Sequence, residues 1–233
     1  LRKIYSPNFN IDKRKAKDIK FVILHYTGMK NERLAIEKLT SFNSKVSCHY
    51  FIKNSGEILN LVPDLYVSWH AGKSSWKNIK SLNFNSLGIE ISNPGHDNKY
   101  DNFNIKQIKS LIYLISYLKK KYNIKKKNIL GHSDISPNRK KDPGEKFPWA
   151  LMYKKKLCIW HNIKEKKLKR FRNLDCNKIE KSEFFKNLEK IGYNTQNKKL
   201  VILAFQRRFR QLFISGKVDK ECLLISISIV KNK

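Results

Sequence analysis

The run Lys20-Phe21-Val22-Ile23-Leu24-His25-Tyr26-Thr27, stopped by Gly28, constrains the fold more than any other stretch. It is short, β-prone and apolar without alternation, so packed layers must cover both of its faces. It therefore reads as the buried central strand of a sheet. Ser86-Leu87-Gly88-Ile89-Glu90-Ile91-Ser92, stopped by Asn93-Pro94-Gly95, reads as a second interior strand. The segments 49–52 and 58–62 flank Asn54-Ser55-Gly56-Glu57 and read as a hairpin. Helical spacing at Leu34, Ile36 and Leu39 marks a helix over 31–41. Ile105, Ile108, Leu111, Ile112, Ile115 and Leu118 mark one face of a longer helix over 105–122, with Asn104 and Gln107 as its start signal. Strands alternating with helices imply an α/β domain that ends near Trp160.

The polar, basic residues 1–17 read as an N-terminal arm, 18–163 as the main domain and 164–177 as a charged linker. Beyond it, helical stretches at 181–191, 198–209 and 219–231, parted by Gly192-Tyr193 and Ser215-Gly216, predict a three-helix unit over 178–233. That unit is too small to be an enzyme by itself. Fifty basic against 19 acidic residues leave a net charge of +31, spread over both parts. Such a field favours polyanions: nucleic acid, anionic lipid or an acidic wall polymer. A biased coding composition rich in Lys, Asn and Ile would produce the same charge. Cys48, Cys158, Cys176 and Cys222 form no Cys-x-x-Cys pair, which argues for buried free thiols over a zinc ribbon. No run is long enough for a membrane helix, and no export signal is visible ahead of Leu1, where a processed terminus is the expectation.

Chemistry concentrates in Gly131-His132-Ser133-Asp134-Ile135-Ser136-Pro137-Asn138-Arg139-Lys140-Lys141-Asp142-Pro143-Gly144. His132 and Asp142 are zinc-ligand types, but a zinc site needs a third protein ligand from elsewhere. His25 ends the central strand, where open α/β sheets place site residues. His25, His132 and Asp142 then form a two-histidine, one-carboxylate set with a fourth position open, the catalytic pattern for Zn2+. Glu90, a carboxylate inside an apolar strand, is expensive unless paired or functional, and a base beside an activated water is the functional reading. Lys140 is placed to meet a developing oxyanion. His96 and His161, in turn-like contexts, read as structural.

These segments, together with Val46-Ser47-Cys48-His49-Tyr50, Trp69-His70-Ala71-Gly72 and Asn85-Ser86, resemble in order the zinc N-acetylmuramoyl-L-alanine amidases of the amidase_2 family. The resemblance covers about 18–160. It implies a mixed sheet flanked by helices, zinc on His25, His132 and Asp142, Glu90 as acid/base and Lys140 as oxyanion stabiliser. Trp69, His70 and Asn85 would contact substrate, and His49 would be structural. The implied reaction is hydrolysis of the amide joining the lactyl group of N-acetylmuramic acid, or of its 1,6-anhydro form, to L-alanine of the stem peptide. The segment 201–210 followed by Gly216-Lys217-Val218-Asp219 resembles a peptidoglycan-binding helical domain. The two-domain resemblance implies an exported enzyme of the periplasm or envelope; the expected partners are peptidoglycan and muropeptides, and the expected state is a monomer. A cytoplasmic location and membrane anchoring stay open. A non-catalytic peptidoglycan-recognition protein is the alternative, against which the complete set of ligand candidates argues. Nucleic acid is not expected, because no basic stripe with interleaved aromatics is present.

Overall fold

A six-stranded mixed sheet organises the computed structural model, which describes residues 2–232. The strands are β1 (Arg2–Lys3), β2 (Phe9–Asn10), β3 (Phe21–Tyr26), β4 (Tyr50–Ile52), β5 (Ile58–Asn60), β6 (Val67–Ser68), β7 (Ser75–Trp76), β8 (Ile79–Lys80), β9 (Ser86–Ile91) and β10 (Ile129–Gly131). The helices are α1 (Glu32–Thr40), α2 (Ile105–Tyr122), α3 (His132–Ile135), α4 (Trp149–Lys154), α5 (Glu165–Phe171), α6 (Lys178–Ile191), α7 (Lys198–Phe209) and α8 (Lys220–Lys231). The sheet order is β1-β5-β4-β9-β3-β10. β4, β9, β3 and β10 run parallel, and β5 returns antiparallel to β4 as the hairpin signal required.

β3 lies inside the sheet, with Val22, Ile23 and Leu24 fully buried. Its alternate residues serve two cores. Val22 and Leu24 join Ile89, Ile91 and the α2 residues Ile108, Leu111, Ile115 and Leu118. Phe21 and Ile23 join Leu130 and the α6 and α7 residues Phe184, Leu188 and Phe205. Each fully buried aliphatic side chain contributes roughly 1.5–3 kcal/mol, so both faces of this strand anchor the molecule. α2 begins where expected: the Asn104 side chain accepts from the Gln107 N–H at 2.9 Å, and Gln107 Oε1 accepts from the Asn104 N–H at 3.1 Å.

Two expectations differ from the structure. The arm is woven into the fold: β1 pairs with β5, β2 pairs with β6, and Arg14 is buried. The Arg14 guanidinium donates to the carbonyls of Asp64, Asn83, Phe84 and Ser86, tying three loops together. Strands of two residues carry no readable period, which is why this segment looked unstructured. The charged stretch 164–177 contains α5, whose Leu168 is buried in the same core as α6, α7 and α8. Arg172 then pairs with buried Glu221 at 2.6 Å and with Glu165 at 2.9 Å. The helical unit therefore holds four helices and shares its core with the sheet.

Candidate active site

Strand register assembles the site. His25 and Glu90 are direct partners on the parallel strands β3 and β9, and so project from the same face. Gly131 pairs with Leu24, so the next residue, His132, arrives beside His25 at the start of α3. The Ser133 N–H donates to the Asp142 carbonyl at 2.9 Å, which folds the loop back and returns Asp142 to His132. His25, His132 and Asp142 are all buried.

Three donor atoms converge. His25 Nδ1 lies 2.9 Å from His132 Nδ1 and 3.0 Å from Asp142 Oδ2, and His132 Nδ1 lies 3.1 Å from the same oxygen. The outer partners of the rings assign their tautomers. The Ser86 hydroxyl donates to the Leu82 carbonyl at 2.7 Å and so accepts from His70 Nε2 at 3.0 Å. His70 Nδ1 is then an acceptor for the His25 Nε2–H at 3.0 Å. His132 Nε2–H meets the Ala71 carbonyl at 3.0 Å. Both Nδ1 atoms consequently present lone pairs toward the Asp142 carboxylate. Three acceptors facing one another without a proton repel unless a cation stands among them. Their spacing is near the edge of about 3.3 Å set by a tetrahedral ion with bonds of about 2.0–2.1 Å. The donor set fits a metal, and it is the one such group of three among the described residues.

Electrostatics agree. Burial, then the neighbouring His132, pushes the His25 imidazole down to about 4, keeping it neutral. Burial alone would raise the Asp142 carboxyl, but His132 and His25 beside it hold it well below the usual range. Glu90 behaves oppositely: burial, reinforced by the Asp142 charge, raises its carboxyl well above the ordinary value. Its Oε2 is buried with no hydrogen-bond partner. A carboxyl with a raised proton affinity and one buried oxygen that no protein group engages is suited to general acid/base work.

The site opens into a cavity of roughly 330 Å³ that Glu90, Lys140, Trp69 and His70 also line. The charge of Lys140 acts on both His25 and Glu90. Trp69 is steadied by its indole N–H donating to Asn10 Oδ1 at 2.7 Å. His70 reaches the cavity wall, and its two ring nitrogens are engaged by His25 and Ser86. Gly88 makes room for that ring, since a Cβ there would lie 2.4 Å from it. Asn85 does not line the cavity; its amide donates to the Asp18 carbonyl at 3.2 Å. Asparagine at a strand entry suits backbone capping as well as substrate contact, and sequence alone does not separate the two.

His49 is structural, as expected: its Nδ1 accepts from the Gly88 N–H at 3.0 Å and its Nε2–H faces the Tyr66 carbonyl. His96 is bonded to the Tyr26 hydroxyl and the Glu145 carboxylate. Arg139 was not anticipated. It lines the cavity and donates to the Ala71 and Lys73 carbonyls at 3.1 and 2.7 Å, bracing the carbonyl that orients His132. Its position next to Lys140 was the available signal, masked by fifty basic residues. Below the loop, the helical unit grips α3. Tyr193 donates to Asp134 Oδ1 at 2.5 Å, Arg208 pairs with Asp134 Oδ2, and Arg208 also donates to the Ile129 carbonyl at 2.9 Å.

Comparison with known proteins gives this arrangement a family. The N-acetylmuramoyl-L-alanine amidase model, Amidase_2, matches residues 15–145. N-acetylmuramoyl-L-alanine amidase AmiD of Escherichia coli is 28% identical over 231 residues, 91% of this chain and 83% of that protein. The 1,6-anhydro-N-acetylmuramyl-L-alanine amidase AmpD of Haemophilus influenzae is 32% identical, over 64% of this chain and 88% of its own. Among solved structures, E. coli AmiD in complex with anhydro-N-acetylmuramic acid-L-Ala-D-gamma-Glu-L-Lys superposes with a TM-score of 0.81 at 29% identity, covering 92% of this chain and 90% of that one. AmpDH3 of Pseudomonas aeruginosa also gives 0.81, at 26% identity, over 100% and 99%. With the matched region spanning more than half of its length, the chain belongs to the N-acetylmuramoyl-L-alanine amidase family.

Proposed function

We propose that this protein is a zinc hydrolase cleaving the amide between the lactyl group of N-acetylmuramic acid, including its 1,6-anhydro form, and L-alanine of the stem peptide. The observation that carries the reading is the convergence of three acceptor atoms beside the Glu90 carboxyl, whose buried Oε2 has no hydrogen-bond partner. The substrate class follows relatives whose structures hold anhydromuramyl peptides.

Zinc held by His25, His132 and Asp142 would supply Lewis acidity at the scissile carbonyl and make water a stronger nucleophile. Glu90 takes a proton from the attacking water and returns it to the leaving amine nitrogen as the C–N bond breaks. The products are a free lactyl carboxylate and the free α-amine of L-alanine. Lys140 stabilises the negative charge that develops on the carbonyl oxygen. Trp69 flanks the substrate, and His70 with Ser86 keeps the His25 lone pair on the metal side. The helical unit is assigned to holding the polymer, and the protein to the cell envelope. No helix among the described residues is long and apolar enough to cross a membrane.

Mass spectrometry of an anhydromuramyl tripeptide incubated with zinc-loaded protein tests the reaction. The expected products are anhydro-N-acetylmuramic acid and intact tripeptide, abolished by chelator and restored by zinc. Uncut substrate with fully zinc-loaded protein would leave a non-catalytic recognition protein instead.

A further inference from the structure

Six of the ten tyrosines line a single groove of roughly 1360 Å³. Three of them, Tyr5, Tyr113 and Tyr117, are 69%, 70% and 48% exposed, and they are the tyrosines among the strongly exposed large apolar side chains. Tyr50, Tyr66 and Tyr122 complete the set. The groove lies across the sheet from the metal site. Tyr50 precedes Phe51 on β4, Phe51 is the register partner of Glu90, and successive residues face opposite sides. Tyr50 accordingly shares the α2 side of the sheet with Leu24 and Ile89.

The floor is pre-organised. The Asp64 carboxylate accepts from Tyr50 at 2.5 Å, from Tyr122 at 2.6 Å and from Lys121 at 2.9 Å. Arg2, Lys3, Lys13 and Lys121 give the walls a positive excess over Glu57 and Asp64. Lys13 sits 5.5 Å from the Tyr66 ring centroid.

Open tyrosine rings offer an apolar face with a polar rim. A pyranose offers the complement, an apolar C–H face edged by hydroxyls. The cations require a ligand with negative charge, while Glu57 and Asp64 oppose a backbone charged at every unit, such as a polyphosphate. A sugar chain with one carboxylate per disaccharide satisfies both conditions. The proposed reaction makes such a chain, because each cleaved muramic acid residue retains its lactyl group as a free carboxylate. We propose that this groove binds the peptide-stripped glycan strand, keeping the enzyme on polymer it has already cleared. The inference rests on the amidase reading for the chemistry of the strand.

The test uses the full zinc-loaded chain and purified peptide-stripped strands as the probe, with binding followed by co-sedimentation and anisotropy. The Tyr113→Ala/Tyr117→Ala variant is expected to bind at least about 10-fold more weakly, the scale of losing packed aromatic anchors. Lys3→Ala/Lys13→Ala should weaken binding and flatten its salt dependence. Both variants should hydrolyse a soluble anhydromuramyl tripeptide as wild type does, showing that they fold. Unchanged strand binding in the tyrosine variant overturns the proposal. So does tighter wild-type binding to a single-stranded oligonucleotide of equal length, which would reassign the groove to nucleic acid. Wild-type hydrolysis without strand binding refutes the groove alone, whereas failure to hydrolyse the tripeptide refutes the amidase reading.

Discussion

At the scale of single residues, the site depends on which nitrogen of each histidine carries its proton. The relay from Leu82 O through Ser86, His70 and His25 fixes the His25 lone pair, and the Ala71 carbonyl does the same for His132. Partners of this kind typically govern metal affinity by 10–100-fold. Ser86→Ala should therefore weaken zinc binding by about 10-fold, and His70→Ala by more, in a competition titration against a chromogenic chelator. Unchanged affinity in both would show that the relay does not set the tautomer. Gly88→Ala, which drives a methyl group into the His70 ring, should weaken zinc in the same direction. Much of this site was legible in the sequence: His25 at a strand end, Glu90 within an apolar strand, and His132 and Asp142 framing one loop. The job of His70 was not, because Trp69-His70 carries no mark of whether its ring faces substrate or a neighbouring imidazole. Only the parallel register of β3 and β9, with Gly88 under the ring, decides it.

Between elements, the important joint is α7 against α3. Arg208 of α7 and Tyr193 satisfy Asp134, while Asp134 Oδ2 also accepts the Gly131 N–H at 2.8 Å, one residue before His132. The guanidinium lies 4.2 Å from the Trp149 ring centroid, so the pair is walled off from water. Removing one partner of a buried pair strands the other charge, at a cost of about 3–5 kcal/mol. Arg208→Met should lower the urea unfolding midpoint accordingly. Tyr193→Phe, which deletes one hydrogen bond, should cost about 1–3 kcal/mol. If the joint positions His132, Tyr193→Phe should also weaken zinc binding in protein that remains folded; intact zinc affinity would make the joint purely structural. The sequence showed helices here and marked Asp134 only as part of a loop. A contact between residues 134 and 208 leaves no local periodicity, and that is also why the helical unit looked separable. The arm and the charged stretch misled for a related reason. Two-residue strands are too short to show alternation, and α5 buries one leucine, Leu168, under a run of lysines.

For the whole molecule, the buried imidazoles make the fold acid-sensitive. Burial, then the charge of Arg14, lowers His49 to about 3 in the folded state. The unfolded chain protonates the same ring near 6.5. The stabilisation is therefore complete above about pH 6.5 and declines by about 1.4 kcal/mol per unit below it, until it is lost near the folded value. His25, at about 4, acts in the same direction in metal-free protein. The urea midpoint of chelator-treated protein should fall steadily from pH 7 to pH 5, and a flat midpoint would show that these rings are not neutral in the fold. The net charge of +31 was visible from composition, but its use was not; the groove beside α2 gives part of it a ligand chemistry.

The central claim is that one set of side chains holds the metal while a different one, Glu90, moves the proton. The most direct measurement is the turnover of an anhydromuramyl tripeptide by Glu90→Gln protein whose zinc content has been assayed. The account predicts zinc at wild-type stoichiometry with kcat reduced by about 10²–10⁴-fold. Near-normal turnover by that zinc-loaded variant would contradict it.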